Sequence, residues 1–159
     1  VTVALERTDA VVRASDISSG ALAIARKNAE TLGARVEFAL GSWFETDKTS
    51  SEDKHRFDVI VSNPPYIEAG DEHLSQGDLR FEPQTALTDF ADGLICIREL
   101  AQRAPEFLKE GGWLLLEHGY NQGAAVRQIL TANGFAEVST QQDLAGLDRL
   151  TLGMFRHVE

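Results

Sequence analysis

Residues 60 to 66 read Ile-Val-Ser-Asn-Pro-Pro-Tyr, a run that ends in groups suited to holding a nitrogen atom. The side-chain oxygen of Asn63 and the carbonyl oxygen of Pro64 are both hydrogen-bond acceptors. Because Pro64 and Pro65 restrict the backbone, both acceptors can be aimed at the two hydrogens of one NH2 group. Tyr66 can stack on the planar group that carries this NH2. The motif therefore predicts a site for an amide or an aromatic amine.

Such a site would make a poor nucleophile reactive without a basic residue. The lone pair of an amide or aromatic amine nitrogen is delocalised, so this nitrogen attacks electrophiles only weakly. Two acceptors that hold both hydrogens turn the lone pair toward an electrophile, which supplies positioning and electrostatic stabilisation. The alternative interpretation is a stiff exit from a strand with no ligand, and the flanking pattern favours the site over it.

Two earlier positions suggest an adenosine-containing cofactor. Asp16 follows a strand-like run and precedes a helix-like one, where a carboxylate can bind both hydroxyls of a ribose. A helix-capping role explains Asp16 equally well when it is considered alone. Trp43, at the end of the next strand, could cover an adenine face or be a buried core residue. Together, and in this order, the two positions favour the cofactor.

The segments around these positions predict alternating strands and helices. Strands are predicted over 11–15, 36–40, 57–61, 113–117, 136–141 and 149–155, the last two as an antiparallel pair joined around Gly146. Helices are predicted from Ser18 or Ser19 to just before Gly33, over 93–108 and over 122–133. The apolar run 57–61 predicts burial on both faces. This order of elements predicts an α/β layer fold.

Ligands of such sheets bind beyond the carboxyl ends of the strands. The residues that close predicted strands there are Asp16, Ser42 with Trp43, Asn63, and Glu117 with His118. We therefore expect these residues to line one edge of the sheet. For His118, a structural role is favoured over a catalytic one.

Composition limits the classes of protein to consider. The 159 residues suit one domain, and 43% hydrophobic with 25% charged residues is ordinary for a globular protein. A net charge of −10 argues against broad binding to nucleic acid. No apolar run is long enough to span a bilayer, so no membrane role is expected. Cys96 is the single cysteine, which excludes a disulfide framework and a cysteine-based metal site and favours the cytoplasm.

Several segments resemble the HemK/PrmC family of release factor glutamine methyltransferases. Besides Asp16 and Trp43, they are Ser62–Ile67, Arg80–Pro83, Leu115–Gly119 and Asp148–Gly153. The resemblance extends over almost the whole chain. The Asn-Pro-Pro-Tyr motif is shared with enzymes that methylate amino groups of DNA and RNA. The segment from Gly77 to Pro83 narrows the resemblance to enzymes of the release factor type.

The resemblance implies a fold, a reaction and a set of site residues. The fold would be the Rossmann-like sheet of class I methyltransferases that use S-adenosyl-L-methionine. Asp16 would bind the cofactor ribose, Trp43 would border the adenine, and Asn63 would contact both cofactor and substrate. The stretch Asn63 to Tyr66 would hold a glutamine side chain of a peptide chain release factor. Its amide nitrogen would attack the methyl group directly, with no covalent enzyme intermediate and with Asn63 and Pro64 as the catalytic groups.

Two departures from the family pattern are visible. Ser42 stands where an aspartate is common, so its hydrogen bond to the adenine amino group would be weaker. The first strand with its glycine-rich turn has no counterpart, and neither has the helical N-terminal domain that engages the substrate. We therefore expect residues 1–159 to be a partial catalytic domain that binds the cofactor weakly or not at all by itself. The strands that end at Asp16 and Asn63 would then either pair directly or leave exposed edges.

Two other functions remain open at this stage. One is an amino-methyltransferase that acts on DNA or RNA bases through the same Asn-Pro-Pro-Tyr chemistry, against which the acidic charge counts. The other is a non-catalytic interaction module that retains the fold, although a scaffold would not need the intact motif. Arg80 and Glu82, in the long irregular stretch from Ile67 to Thr88, could pair with each other or close that loop over the site.

Overall fold

The computed structural model describes residues 1–47, 56–71, 74 and 81–156. The chain forms two compact units, Val1–His55 and Arg56–Glu159. Within the described ranges, no helix is both long and apolar enough to cross a membrane.

The first unit contains a two-stranded parallel sheet and the helix that connects its strands. Its elements are α1 (Thr2–Glu6), β1 (Val12–Asp16), α2 (Ser19–Leu32), β2 (Val36–Leu40) and a 3₁₀ helix (Trp43–Asp47). The pairing runs from Val12 opposite Val36 to Asp16 opposite Leu40. The predicted strand–helix–strand order is confirmed, and Asp16 is the last residue of β1.

Both ends of α2 follow from local sequence. The Ser18 hydroxyl accepts a hydrogen bond from the Ala21 amide at 3.2 Å, which satisfies one of the amides that a helix leaves unpaired at its start. Gly33 ends the helix in the left-handed region, with φ of 70°. Leu22 and Ala29 lie on the buried face of the helix. The predicted start and end of this helix are confirmed.

The second unit is built on a mixed four-stranded sheet. Its helices and strands are β3 (Phe57–Ser62), α3 (Gln84–Leu87), α4 (Ile95–Arg103), β4 (Leu108–Glu117), α5 (Gly123–Ala132), β5 (Phe135–Gln142) and β6 (Asp148–Phe155), with a 3₁₀ helix over Ala104–Glu106. The order in space is β3-β4-β6-β5. β3 and β4 are parallel, whereas β6 is antiparallel to both β4 and β5. The α/β class and the antiparallel pair at the carboxyl end are thereby confirmed.

The core of this unit lies between β4 and the two longer helices. Strand alternation turns Leu114 and Leu116 inward, and both are fully buried. Helical spacing does the same for the buried residues Ile97 and Leu100 of α4 and Val126 and Leu130 of α5. α5 packs on β5 and β6, and α4 packs on α5. This packing fixes where β4 ends, and therefore where Glu117 and His118 lie.

β4 begins five residues earlier than predicted. Gly111 and Gly112 lie inside the strand rather than in a turn before it. The pairing with β3 is irregular between Phe57 opposite Leu108 and Val59 opposite Trp113, and this irregularity accommodates the glycines. Gly111 has φ of 75°, a conformation in which a β-carbon would be strained.

The prediction that 57–61 is buried on both faces is wrong. Val59 is 50% exposed and Val61 is 65% exposed. Strand alternation places Val59 and Val61 on the same face of β3, so it is this face of the strand that is not covered. β1 and β3 belong to different sheets, so the two strands do not pair directly with each other.

Candidate active site

The motif Asn63-Pro64-Pro65-Tyr66 follows β3 without a gap, since that strand ends at Ser62. Pro64 is fully buried, Asn63 is exposed, and Pro65 and Tyr66 are half-buried. The next residue, Ile67, donates its amide hydrogen to the Leu87 carbonyl at 2.9 Å. The motif is therefore attached to the fold before and after its two prolines, with the asparagine side chain open to a ligand.

The carboxyl ends of β3 and β4 lie side by side, as predicted for adjacent parallel strands. Ser62 is opposite Leu116, so Asn63 and Glu117 come next on the two strands. The Tyr66 hydroxyl donates a hydrogen bond to Glu117 Oε1 at 3.2 Å. Asn63, Tyr66 and Glu117 are therefore brought together at one edge of this sheet.

Tyr66 stays a neutral phenol in this position. Burial and then the negative charge of Glu117 raise the pKa of its hydroxyl, although Arg149 lowers it in part. Ordinary tyrosine already titrates near 10, so the hydroxyl remains a donor throughout the neutral range. The bond to Glu117 is thereby maintained under physiological conditions.

His118 has the structural role predicted for it. The side chain is fully buried, its Nδ1 lies 2.8 Å from the Gly119 carbonyl oxygen, and its Nε2 lies 2.7 Å from Thr151 Oγ1. A carbonyl only accepts, so Nδ1 carries the proton and Nε2 accepts from the hydroxyl. Thr140 and Arg127 extend this chain of hydrogen bonds, at 2.8 and 2.7 Å. Burial lowers the pKa of the imidazole, so His118 is held neutral.

Asp16 lies in the first unit, exposed at the end of β1. Its Oδ1 accepts a hydrogen bond from the Ser18 amide at 2.7 Å, which fixes the carboxylate at the entrance to α2. Ser18, not Asp16, is the N-cap of the helix. Asp16 is therefore not the cap of the helix, and its bond with the Ser18 amide instead orients its carboxylate.

Trp43 and Ser42 lie in the same unit, just after β2. Trp43 is half-buried and has φ of 43°, which is uncommon for a residue other than glycine. Its carbonyl oxygen lies 3.4 Å from the Ser15 hydroxyl, next to Asp16 in the chain. Ser42 is also half-buried, and its carbonyl accepts from the Glu45 amide at 2.9 Å. Three of the four residues predicted to contact a cofactor are therefore in the first unit, whereas the fourth, Asn63, is in the second.

Of the two loop residues considered in the sequence analysis, Arg80 and Glu82, the structure describes only Glu82. Glu82 is exposed. Arg80 lies outside the described residues, and so does the predicted pairing between the two.

Sequence reasoning missed Gln122, which it assigned only to the start of a helix. Gln122 is 8% exposed and precedes α5. Its Nε2 donates to the Tyr66 carbonyl at 2.9 Å, and its Oε1 accepts from the Gly119 amide at 2.8 Å. These partners are distant in sequence or part of an irregular turn, so no periodicity marks them.

Asp89 was also missed, although the loop that it organises adjoins the motif. Its carboxylate accepts from the amides of Ala91, Gly93 and Ile95 at 2.8 to 3.0 Å. The Asp92-Gly93 pair that follows it is a sequence signal for such a turn. This loop brings Gly93 to the motif.

Comparisons with known proteins agree with this geometry. The family model described as "Methyltransferase small domain" matches residues 1–79. A release factor glutamine methyltransferase of Neisseria gonorrhoeae is 70% identical over 155 residues, which are 98% of this chain and 56% of that protein. One of Xylella fastidiosa is 51% identical, over 96% of this chain and 54% of that protein. The chain thus spans about half the length of the curated relatives it matches.

Solved structures give the fold. A methyltransferase from Pyrococcus furiosus superposes with a TM-score of 0.67 at 20% identity, over 98% of this chain and 68% of that one. A release-factor-specific protein-(glutamine-N5) methyltransferase from Alicyclobacillus acidocaldarius gives a TM-score of 0.52 at 27% identity, over 92% of this chain and 80% of that one. This chain therefore has the class I methyltransferase fold and is, along nearly all of its length, a homologue of the release factor glutamine methyltransferases.

Proposed function

We propose that this chain transfers a methyl group from S-adenosyl-L-methionine to the side-chain amide nitrogen of a glutamine in a peptide chain release factor. The observation that carries the proposal is the position of Asn63-Pro64-Pro65-Tyr66 at the carboxyl end of β3, held against Glu117 through the Tyr66 hydroxyl. The name of the relative that is 70% identical supports the choice of substrate.

The motif residues would bind and orient the amide. Asn63 Oδ1 and the Pro64 carbonyl would each accept one of the two amide hydrogens, so that the nitrogen lone pair faces the methyl donor. Tyr66 would cover the plane of the amide while its hydroxyl stays bound to Glu117. No side chain of this group would need to act as a base, since the extra proton can leave to water after the new bond forms.

The first unit would hold the cofactor. A ribose requires an exposed acceptor, and the oriented carboxylate of Asp16 meets that requirement. Trp43 would border the adenine, with Ser42 beside it. When bound, S-adenosyl-L-methionine supplies an electrophilic methyl group on a sulfonium. The cytoplasm is the proposed location, because a reducing compartment fits a chain with a single cysteine.

Substitution of Asn63 by alanine in the full-length protein tests the proposal. With a release factor and methyl-tritiated cofactor, we expect kcat/KM to fall at least about 100-fold, because one of two acceptors for the reacting group is lost. Asn28→Ala makes the same chemical change at an exposed position of α2 and should leave kcat/KM unchanged. A kcat/KM of Asn63→Ala within about tenfold of the wild-type value would contradict the mechanism.

The choice of substrate is tested in parallel with the wild-type protein. The protein and labelled cofactor are incubated separately with four candidate substrates. These are a release factor, the same release factor with its methylated glutamine replaced by glutamate, duplex DNA and ribosomal RNA. Label in the unaltered release factor alone is the expected result. Label in either nucleic acid would instead support the base-modifying function.

A further inference from the structure

Tyr66 forms one hydrogen bond through its side chain, with Glu117 at the end of β4, and one through its backbone, with Gln122 just before α5. Its hydroxyl donates to Glu117 Oε1 at 3.2 Å, and its carbonyl oxygen accepts from Gln122 Nε2 at 2.9 Å. The first contact fixes the ring, and the second fixes the backbone directly after the two prolines. The backbone contact is the one that bears on Asn63 and Pro64.

The segment from Asn63 to Pro65 is stiff, so its two attachments set its position. Pro64 and Pro65 have fixed φ angles, and Asn63 and Pro64 each precede a proline, which restricts their ψ angles. β3 fixes the segment at its beginning, through Ser62 opposite Leu116. At its end, the segment is held by the bond from Gln122 to the Tyr66 carbonyl and by the bond from the Ile67 amide to the Leu87 carbonyl. If the Gln122 bond is lost, one of these contacts is gone and the stiff segment can turn as one piece, which moves the two acceptor oxygens together.

Gln122 is itself held in one orientation. Its Oε1 accepts from the Gly119 amide at 2.8 Å, which leaves the NH2 group to face the Tyr66 carbonyl. The same NH2 group lies 3.4 Å from the Gly93 carbonyl oxygen. The side chain is only 8% exposed, so water does not readily replace these partners. One amide thus joins three loops.

Gly93 shows how closely these loops approach. A β-carbon at this position would overlap the Tyr66 carbonyl oxygen and lie 2.8 Å from Gln122 Nε2. Its φ of 74° is also a conformation that disfavours other residues. A side chain here would push directly on the contact between Gln122 and Tyr66.

We propose that Gln122 is a positioning residue for methyl transfer, which acts by holding the Tyr66 carbonyl and thereby aiming the Asn63 and Pro64 acceptors. The proposal rests on the proposed function and adds to it a residue outside the proposed substrate and cofactor contacts. Gln122→Glu keeps the size of the side chain but replaces the donor by an acceptor. Gln122→Leu removes both polar groups.

Enzyme kinetics separate positioning from general structural damage. In the full-length protein, both Gln122 variants should lower kcat for release factor methylation about tenfold or more, while the Kd for S-adenosyl-L-methionine measured by isothermal titration stays within about twofold of wild type. Gln128→Glu makes the same change at an exposed position of the same helix and should alter neither quantity. Equal loss of cofactor binding and turnover would show that Gln122 only supports the fold.

A spectroscopic measurement tests the contact without any activity. The chain has two tyrosines, so ¹³C-carbonyl labelling gives two signals, of which Tyr66 is assigned through its bond to ¹⁵N-labelled Ile67. Both Gln122 variants should move the Tyr66 signal upfield. An unmoved Tyr66 signal overturns the proposal. If wild type methylates no release factor, the proposed function fails, but these signals still decide whether Gln122 holds Tyr66.

A second variant guards against misfolding of the first. Gly93→Ala should shift the Tyr66 carbonyl signal and lower kcat, because its new methyl group displaces that carbonyl. Gly70→Ala carries the same backbone strain, with φ of 87°, but its β-carbon would meet nothing within 4 Å. If both alanine variants retain the wild-type kcat, the position of the Tyr66 carbonyl does not matter for turnover, and the proposal is wrong.

Discussion

At the scale of single residues, one chain of hydrogen bonds runs beside the motif and has no part in the proposed chemistry. It begins at the Arg127 guanidinium, passes through Thr140, Thr151 and His118, and ends at the Gly119 carbonyl. Each donor in this chain faces one acceptor only when His118 is neutral. The stability of the second unit should therefore depend on the protonation of one buried imidazole.

The pKa of His118 gives that dependence a sign. Burial lowers it below the ordinary value of 6.5; Asp148 opposes this shift, whereas Arg149 and Arg127 add to it. Below pH 6.5 the unfolded chain therefore binds this proton more readily than the folded one, so the free energy of unfolding falls as the pH drops.

Urea unfolding at a series of pH values checks this prediction. His118→Asn keeps a donor toward Gly119 but has no titrating ring, so its stability should fall less than that of wild type below pH 6.5. Parallel curves for the two proteins would contradict the prediction.

The same scale shows what sequence can and cannot predict about a site. Asn63 and Glu117 could be placed together because they end neighbouring parallel strands, a regular relation. Gln122 could not, because its bond to Tyr66 depends on how two irregular loops meet after the helices have packed. Sequence therefore could place Asn63 beside Glu117, but it could not place Gln122 beside Tyr66.

At the scale of helices and strands, local sequence predicted an element's boundary wherever a capping or turn residue sets that boundary. Ser18 and Gly33 marked the ends of α2, and Gly146 marked the turn between β5 and β6. The start of β4 could not be read in this way, because Gly111 and Gly112 belong to an irregular pairing with β3 rather than to a turn. The exposure of Val59 depends on whether other elements cover its face of β3, which is a property of the assembled fold.

The cap of α2 gives a prediction at this scale. Ser18→Ala removes the acceptor for the Ala21 amide and should lower the free energy of unfolding by about 1 kcal/mol. Ser19→Ala, at the first position of the same helix, is the matched control and should change it by less than about 0.5 kcal/mol. Thermal unfolding followed by circular dichroism measures both, and equal effects would show that the cap bond contributes nothing.

At the scale of the whole molecule, charge separates two kinds of substrate. The chain carries 25 acidic and 15 basic residues, a net charge of −10. A phosphate backbone would be repelled by such a protein unless a basic patch overcame the average.

This charge predicts weak binding to nucleic acid. The Kd for duplex DNA at physiological salt should be weaker than about 10⁻⁴ M, the weak end of non-specific binding. Fluorescence anisotropy with a labelled duplex measures it, with a DNA methyltransferase as the positive control. Micromolar binding that weakens steeply with added salt would contradict the prediction and favour the base-modifying function.

The position of β6 in its sheet has a consequence for how the protein is made. β6 is the last of the described strands in the sequence, yet it lies between β4 and β5 and takes part in two of the three strand pairings of the sheet. Until the ribosome has released residues 148–155, β4 and β5 have no strand between them. The unpaired edge of β4 can then pair with strands of other partly synthesised chains. A premature stop codon shortly before Asp148 would therefore be expected to yield an aggregating product, even though every residue of the methylation motif had already been translated.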